Sequence, residues 1–329
     1  HLASRIDAQS PKSALTQAAK LEKGSSGGYF QLTTAKGRPS PAHGAAKRQP
    51  QTAKYTILGK TMRVIEPHIH MIARTTADYE RMALMHTVAC CEPAFWAGYD
   101  RPSAQAFYDY FTHITTFEPT RAAQYLIKHY CYICMNPKEA ENVALSREVI
   151  SFIPEFLAKP NAIGIGEIGT NKNTRNEMTI FEEQVDLAVK LDQLIWIHTP
   201  HLHDKRKGTA MMLDALKTRN DIKPEKVCFD HAEEHTIAMI RDAGFWASMT
   251  IYPVTKNSPP RVVDTLERFG TDHMLVDASG DWGPSDPGTL HQAVFEMRRR
   301  GYDDATVEGV FFHNPRRFLS QCPKVAIDA

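Results

Sequence analysis

From Met62 onward the chain alternates eight times between a short apolar run and a helix-like segment, and this rhythm restricts the fold more than any other feature. The predicted strands are Met62–Glu66, Thr87–Cys91, Ile127–Met135, Ile163–Ile168, Leu194–His198, Lys226–Asp230, Phe245–Thr250 and Met274–Asp277. Helical patterns fill the gaps, among them Thr76–Met85, Asn176–Leu191, Asp204–Arg219 and Asp286–Arg300. In the second of these, Phe181, Val185, Ala188 and Val189 share one face and Glu182 and Glu183 the other. Gly244, Gly270 and Gly301 stand where helices should stop. Strands that alternate with helices pair in parallel, because each crossover carries a helix. Eight units over residues 62–329 match the roughly 250 residues of a (β/α)8 TIM barrel. An open doubly wound sheet would need a phosphate-binding glycine fingerprint after its first strand, and the sequence has none there.

A barrel of this kind places its chemistry at the C-terminal ends of its strands. Five predicted strand ends carry metal-ligand side chains: Pro67-His68-Ile69-His70, Gly166-Glu167-Ile168-Gly169, Ile197-His198-Thr199-Pro200, Asp230-His231-Ala232 and Gly280-Asp281-Trp282-Gly283. His68 and His70 are two apart on an extended segment, so both imidazoles point the same way and can enter one coordination sphere. Glu167 lies between glycines that leave room for a bridging carboxylate, while His198 and His231 can hold a second ion. For the last carboxylate the sequence offers Asp281 and Asp277; the glycines around Asp281 favour it, as a ligand and as the acceptor of a proton from water. One or two divalent ions are expected, Zn2+ or Mn2+ first, with Mg2+, Co2+ and Fe2+ as alternatives, since a mixed nitrogen and oxygen set without thiolate suits a catalytic site rather than a closed structural zinc.

These segments resemble the TatD-like branch of the amidohydrolase superfamily of metal-dependent hydrolases. The resemblance runs from Met62 to Leu319 and is carried by the His-x-His segment, Gly164-Ile165-Gly166-Glu167-Ile168-Gly169, Ile197-His198-Thr199-Pro200-His201, Asp230-His231-Ala232, the late Asp and the ending Asn314-Pro315-Arg316-Arg317-Phe318-Leu319. It implies a (β/α)8 barrel and the ligand set His68, His70, Glu167, His198, His231 and Asp281, with Glu167 and Asp281 also carrying the catalysis. The Gly280-Asp281-Trp282 stretch is similar to an Asn-Asp-Trp in phosphotriesterase-type relatives. The chain departs from the family pattern at Glu66-Pro67, at Met135-Asn136-Pro137 and in lacking a Thr-Asp dipeptide at the last ligand, which marks a divergent subgroup.

Charge separates the substrate classes. The net charge is +1, but residues 1–60 carry +8 and the remainder −7. The first stretch is basic and poor in large apolar residues, so a disordered basic extension is expected over residues 1–61, followed by a metal-dependent hydrolase domain over 62–329. Its composition fits sequence upstream of a natural start at Met62, a basic tail that touches nucleic acid or acidic lipid, or an organelle transit segment. An acidic barrel argues for a small-molecule substrate, with hydrolysis of a phosphoester, ester or amide. A 3′-acting deoxyribonuclease, which wants a basic rim, is the alternative, and a non-catalytic binding barrel the third reading. No run is long enough to span a bilayer, and an oligomer remains open. Several of the six cysteines sit in apolar runs, so buried free thiols and a cytoplasmic, reducing setting are expected, including for Cys131 and Cys134.

Other polar groups have plainer readings. His201 and His203, followed by Asp204-Lys205-Arg206-Lys207, fit a solvated helix start better than a phosphate site. The aromatic stretch from Glu92 to Thr120 fits packing around the barrel, with a pocket wall as the functional alternative. Lys128, His129 and Tyr130 are candidates to reach the barrel mouth.

Overall fold

The structure is a computed structural model, and it describes residues 61–200 and 203–328. The extension predicted over residues 1–61 therefore falls outside the described residues except at its last position, as do His201 and any site built on it. From the fourth described residue the chain builds β1 (Val64–Glu66), β2 (Thr87–Pro93), β3 (Lys128–Tyr132), β4 (Ala162–Gly169), β5 (Leu194–His198), β6 (Val227–Asp230), β7 (Trp246–Thr250) and β8 (Met274–Asp277). They form one eight-stranded parallel sheet in the order β1 to β8. The sheet closes just beyond β1 and β8: Ile69 bridges Gly280, Ser279 N–H donates to His68 O at 2.7 Å and His70 N–H to Gly280 O at 2.8 Å. The seam of this nearly closed barrel is thus the His-x-His segment itself.

The helices α1 (Thr76–Leu84), α2 (Ala104–Thr112), α3 (Glu118–Ala123), α4 (Val143–Leu157), α5 (Arg175–Lys190), α6 (Lys205–Lys217), α7 (Ile237–Asp242), α8 (Pro259–Phe269), α9 (Thr289–Arg299), α10 (Asp304–Glu308) and α11 (Asn314–Leu319) follow the strands. Local sequence sets several boundaries. Thr174 and Glu177 make a reciprocal capping box at the start of α5. Gly244, Gly270 and Gly301 take φ of +86°, +78° and +88°, the left-handed conformation at helix ends that a β-carbon disfavours. Between β2 and β3, α2 and α3 are joined by a π-helical turn, His113–Phe117, into one continuous run.

Two apolar layers result. Inside the barrel, Ile65, Ala89, Cys91, Tyr132, Trp196 and Leu275 pack with Phe312, Phe318 and Leu319 of the C-terminal segment. That segment stoppers the end where strands begin: Lys324 donates to the carbonyls of Lys159 and Ala162 at 2.9 and 3.0 Å, and Asn314 to those of Thr271 and Met274 at 2.7 and 2.9 Å. Lys128 and Tyr130 belong to this closed end, where both bond Ala326, so neither reaches the mouth; His129 is buried against Glu92 at 2.8 Å. The predicted strand Ile127–Met135 was right in place but too long for that inference, because its first residues lie at the bottom of the barrel. Outside the sheet, Ile195, Ile197, Phe229 and Val276 face the helices. All six cysteines are buried and free, with no disulfide between Cys131 and Cys134.

Candidate metal centre

Side chains alternate across a strand, and the filled floor of the barrel fixes which parity points inward. On β5, Leu194 and Trp196 lie inside, so His198 does too; on β6, Cys228 inside puts Asp230 inside; on β8, Leu275 inside puts Asp277 inside. These residues are the last of their strands and rise above the apolar floor into the mouth. Glu167 arrives differently. The β4–β5 register shifts between Gly166 and Ile168, leaving Glu167 on an irregularity. The glycines serve the strand contact here: a β-carbon on Gly166 would lie 2.5 Å from Trp196 Cβ, and one on Gly169 2.3 Å from His198 O. His231 holds φ of +56°, an uncommon conformation for a residue other than glycine and one that turns its ring back over the mouth.

Together these elements bring His68, His70, Glu167, His198 and His231 to one place. His68 Nε2 is 2.9 Å from His70 Nε2 and 3.7 Å from Glu167 Oε1. Glu167 Oε1 lies 3.1 Å from His198 Nδ1 and 3.2 Å from His231 Nε2. Three overlapping groups place their ligand atoms within 4.8 Å of one another: His68 with His70 and Glu167, Glu167 with His198 and His231, and His68 with Asp230, His231 and Asp277. Asp281, preferred over Asp277 on sequence grounds, is in none of them. Its carboxylate turns to the rim, where Oδ1 accepts from Tyr252 Oη and Gly283 N, both at 2.8 Å. The flanking glycines let the loop after β8 fold over itself rather than over the centre.

The electrostatics fit a cation. Burial pushes His70 and His231 well below the usual imidazole range and lowers His198, keeping lone pairs free. Burial alone would raise Glu167, yet facing His68 and His198 hold it well below the carboxylate range. Asp230 is likewise penalised by burial, and the neighbouring His231 and His68 outweigh this and keep it ionised. Asp277 is driven well above its usual range by burial and then by Asp230. Three buried atoms, His70 Nδ1, His198 Nε2 and Asp277 Oδ1, have no hydrogen-bond partner in the structure. Such atoms are costly unless satisfied, and two imidazole nitrogens facing each other at 2.9 Å can share at most one proton. A divalent ion among these donors would take the lone pairs of the facing imidazole nitrogens and offset the buried carboxylates, so the residues present fit the group.

The sequence profile of the TatD related DNase family matches residues 105–318, which include every strand from β3 to β8. The chain belongs to this family of metal-dependent hydrolases. An uncharacterized metal-dependent hydrolase of Methanocaldococcus jannaschii is 25% identical over 264 residues, spanning 78% of this chain and 99% of its own. A TatD-like protein from Archaeoglobus fulgidus superposes with a TM-score of 0.64 at 21% identity, over 78% of this chain and 99% of that one. An organophosphorus hydrolase from Deinococcus radiodurans shares the barrel at a TM-score of 0.54 and 13% identity, over 78% and 92% of the two chains. Among the described residues no helix is long and apolar enough to cross a membrane.

In this TatD-family mouth, two aspartates are more prominent than the sequence reading made them: Asp230 stood there only as the neighbour of His231 and Asp277 only as the alternative to Asp281, although the period of two from Cys228 and from Leu275 points both inward. Lys256, half-buried in the loop after β7, had no such signal; its Nζ comes 3.3 Å from Ser279 Oγ and 3.5 Å from His231 Nε2. His203 is exposed. From the aromatic stretch, Phe95 stacks on the His70 ring, with centroids 3.8 Å apart. Asn136, at a position where the family pattern is broken, donates its amide to Glu167 Oε2 and Ala94 O, each at 3.3 Å. Groups that orient a ligand typically account for a 10–100-fold effect. Asn136→Ala should therefore lower metal affinity or turnover by about tenfold or more, measured by metal titration; wild-type affinity and turnover would show that Asn136 does not orient Glu167.

Proposed function

We propose that this chain hydrolyses a phosphoester, ester or amide of a small molecule at a centre of one or two divalent ions. The observation that carries the reading is the buried mouth cluster in which Glu167 stands between two histidine groups. His68, His70 and Glu167 would hold one ion, and Glu167, His198 and His231 the other, with Asp277 completing the set. A divalent ion there supplies charge for the oxygen under attack and lowers the pKa of water towards neutrality. The chain's own residues do the rest. Asp230 fixes the His68 ring through Nδ1, and Thr250 fixes His231 Nδ1 at 2.7 Å. Phe95 covers the His70 face and keeps water from it. Asp277 Oδ1, buried and without a hydrogen-bond partner, would take up the proton released by the attacking water once a bound cation offsets the burial and the Asp230 charge that otherwise keep the carboxyl protonated. This gives Asp277 the two roles first assigned to Asp281.

The test compares the two aspartates by metal content and by metal-dependent turnover of a panel of esters and phosphoesters. Asp277→Asn is expected to lose turnover by about 100-fold or more, the usual contribution of a positioned base, and to bind metal more weakly. Asp281→Asn should keep its metal. The reverse pattern would return the role to Asp281, and a wild-type protein that neither binds divalent ions nor cleaves any member of the panel would sink the reading. A second reading, a TatD-type 3′-acting deoxyribonuclease, is favoured by the family description and by the lysines that line the mouth.

A further inference from the structure

The cavity over the centre holds about 230 Å³, and besides His70, Glu167, His198 and His231 it is walled by groups that the hydrolytic chemistry does not use. Two are ammonium groups. Lys138, just after β3, and Lys256, after β7, both line it. Neither is paired with a carboxylate of the described residues: Lys138 Nζ lies over the Trp96 ring at 4.9 Å, and Lys256 Nζ lies near Ser279, His231 and, at 5.6 Å, the Tyr252 ring. In a barrel region of net charge −7, where about half of the other basic side chains have acidic partners, two cations without an ion-pair partner facing one hollow call for an anion. Part of the wall is aromatic. Trp282 sits on the rim, 52% exposed, with its ring 5.4 Å from Phe95 and 6.1 Å from Trp96. A large indole left open beside a polar centre offers a face for stacking.

We infer that the cavity takes a small phosphate monoester of an aromatic alcohol, the phosphoryl group between Lys138 and Lys256 and the ring against Trp282 and Trp96. This rests on the hydrolase reading and narrows it. A terminal phosphoryl group carries nearly two negative charges at neutral pH, which two ammonium groups match. The volume is below the roughly 300 Å³ at which drug-sized ligands begin, which favours a one-ring or two-ring compound. In the reaction the oxygen of water bonds to phosphorus as the phosphorus–ester oxygen bond breaks. The leaving oxygen keeps the bonding pair and gains one proton of the water, so the products are the aromatic alcohol and hydrogen phosphate.

Two measurements on the full-length protein as purified test this. In the first, phenylphosphonate binding is followed by tryptophan fluorescence. Lys138→Ala and Lys256→Ala should each weaken it about tenfold or more, and Lys256→Arg should restore most of it, as expected for charge-assisted hydrogen bonds. Trp282→Ala should weaken phenylphosphonate about fivefold or more while changing methylphosphonate less. In the second, turnover of para-nitrophenyl phosphate, its bis-ester, para-nitrophenyl acetate and a single-stranded oligodeoxynucleotide is compared. The monoester should have the highest kcat/KM, and its loss in Lys256→Ala should exceed the loss for the acetate about tenfold. Phenylphosphonate binding that ignores both lysines overturns the inference, as does preference for the acetate or the oligonucleotide, although either preference leaves the hydrolase standing. Failure to cleave any of the four with metal bound, while phosphonate binding still depends on the lysines, overturns the hydrolase reading and keeps the anion site.

Discussion

Glu167→Ala is expected to abolish turnover and metal binding together. Glu167 Oε1 lies within 3.7 Å of nitrogens of His68, His198 and His231, so it is the one carboxylate common to both histidine groups. Removing it deprives each ion site of its shared anionic oxygen. A bound ion contributes several kcal/mol to transition-state charge, so losing about 4 kcal/mol of it costs about 1000-fold in rate. Glu167→Gln keeps the volume and one acceptor oxygen but removes the charge, and should lose nearly as much. Elemental analysis and turnover of the two variants check this. Full metal content in Glu167→Ala, or activity within tenfold of wild type, would mean that the ions sit elsewhere. The protein should remain folded, because the apolar floor beneath the site is built from other residues.

Glu139→Ala is expected to have its largest effect on stability. Arg101 and Glu139 form a buried pair, with guanidinium Nη1 2.6 Å from Oε2 and the Arg101 backbone N–H 2.7 Å from Oε1. The second guanidinium nitrogen donates to Phe95 O at 3.1 Å, so the pair also fixes the segment whose ring stacks on His70. Breaking a buried pair by deleting one partner strands a charge and costs about 3–5 kcal/mol. For a domain of this size, at about 2–4 °C per kcal/mol, the melting temperature should fall by about 6–20 °C. The double variant Arg101→Met with Glu139→Leu should recover much of the loss, since no charge is then stranded. A Glu139→Ala protein that melts within about 2 °C of wild type, or a double variant no better than the single, would show that the pair carries little of the load.

How much of this could be read in advance depends on the range of the interaction concerned. The strand at Leu194–His198 and the one at Met274–Asp277 were legible to the residue, because apolar runs bounded by polar turns are a local signal. Five of the six expected ligands converge, because the end of a barrel strand is a position the alternating pattern already defines. Asp281 was preferred for its glycine neighbours, a local argument, whereas the side on which Asp277 projects depends on Leu275 being inside, which requires knowing what fills the barrel. Lys256 lies in a loop without periodicity, and its approach to His231 depends on how the chain returns from Ile251 to Asn257.

The sequence alone determined the eightfold alternation, the parallel barrel it implies and the histidines and glutamate at its strand ends, since hydrophobic period and helix-stop glycines act over a few residues. Only the tertiary structure decided which aspartate joins them, that the C-terminal segment stoppers the opposite end, and that two lysines and an indole from separate loops look into one hollow. Those outcomes depend on distances between residues more than 100 positions apart, which no local pattern encodes.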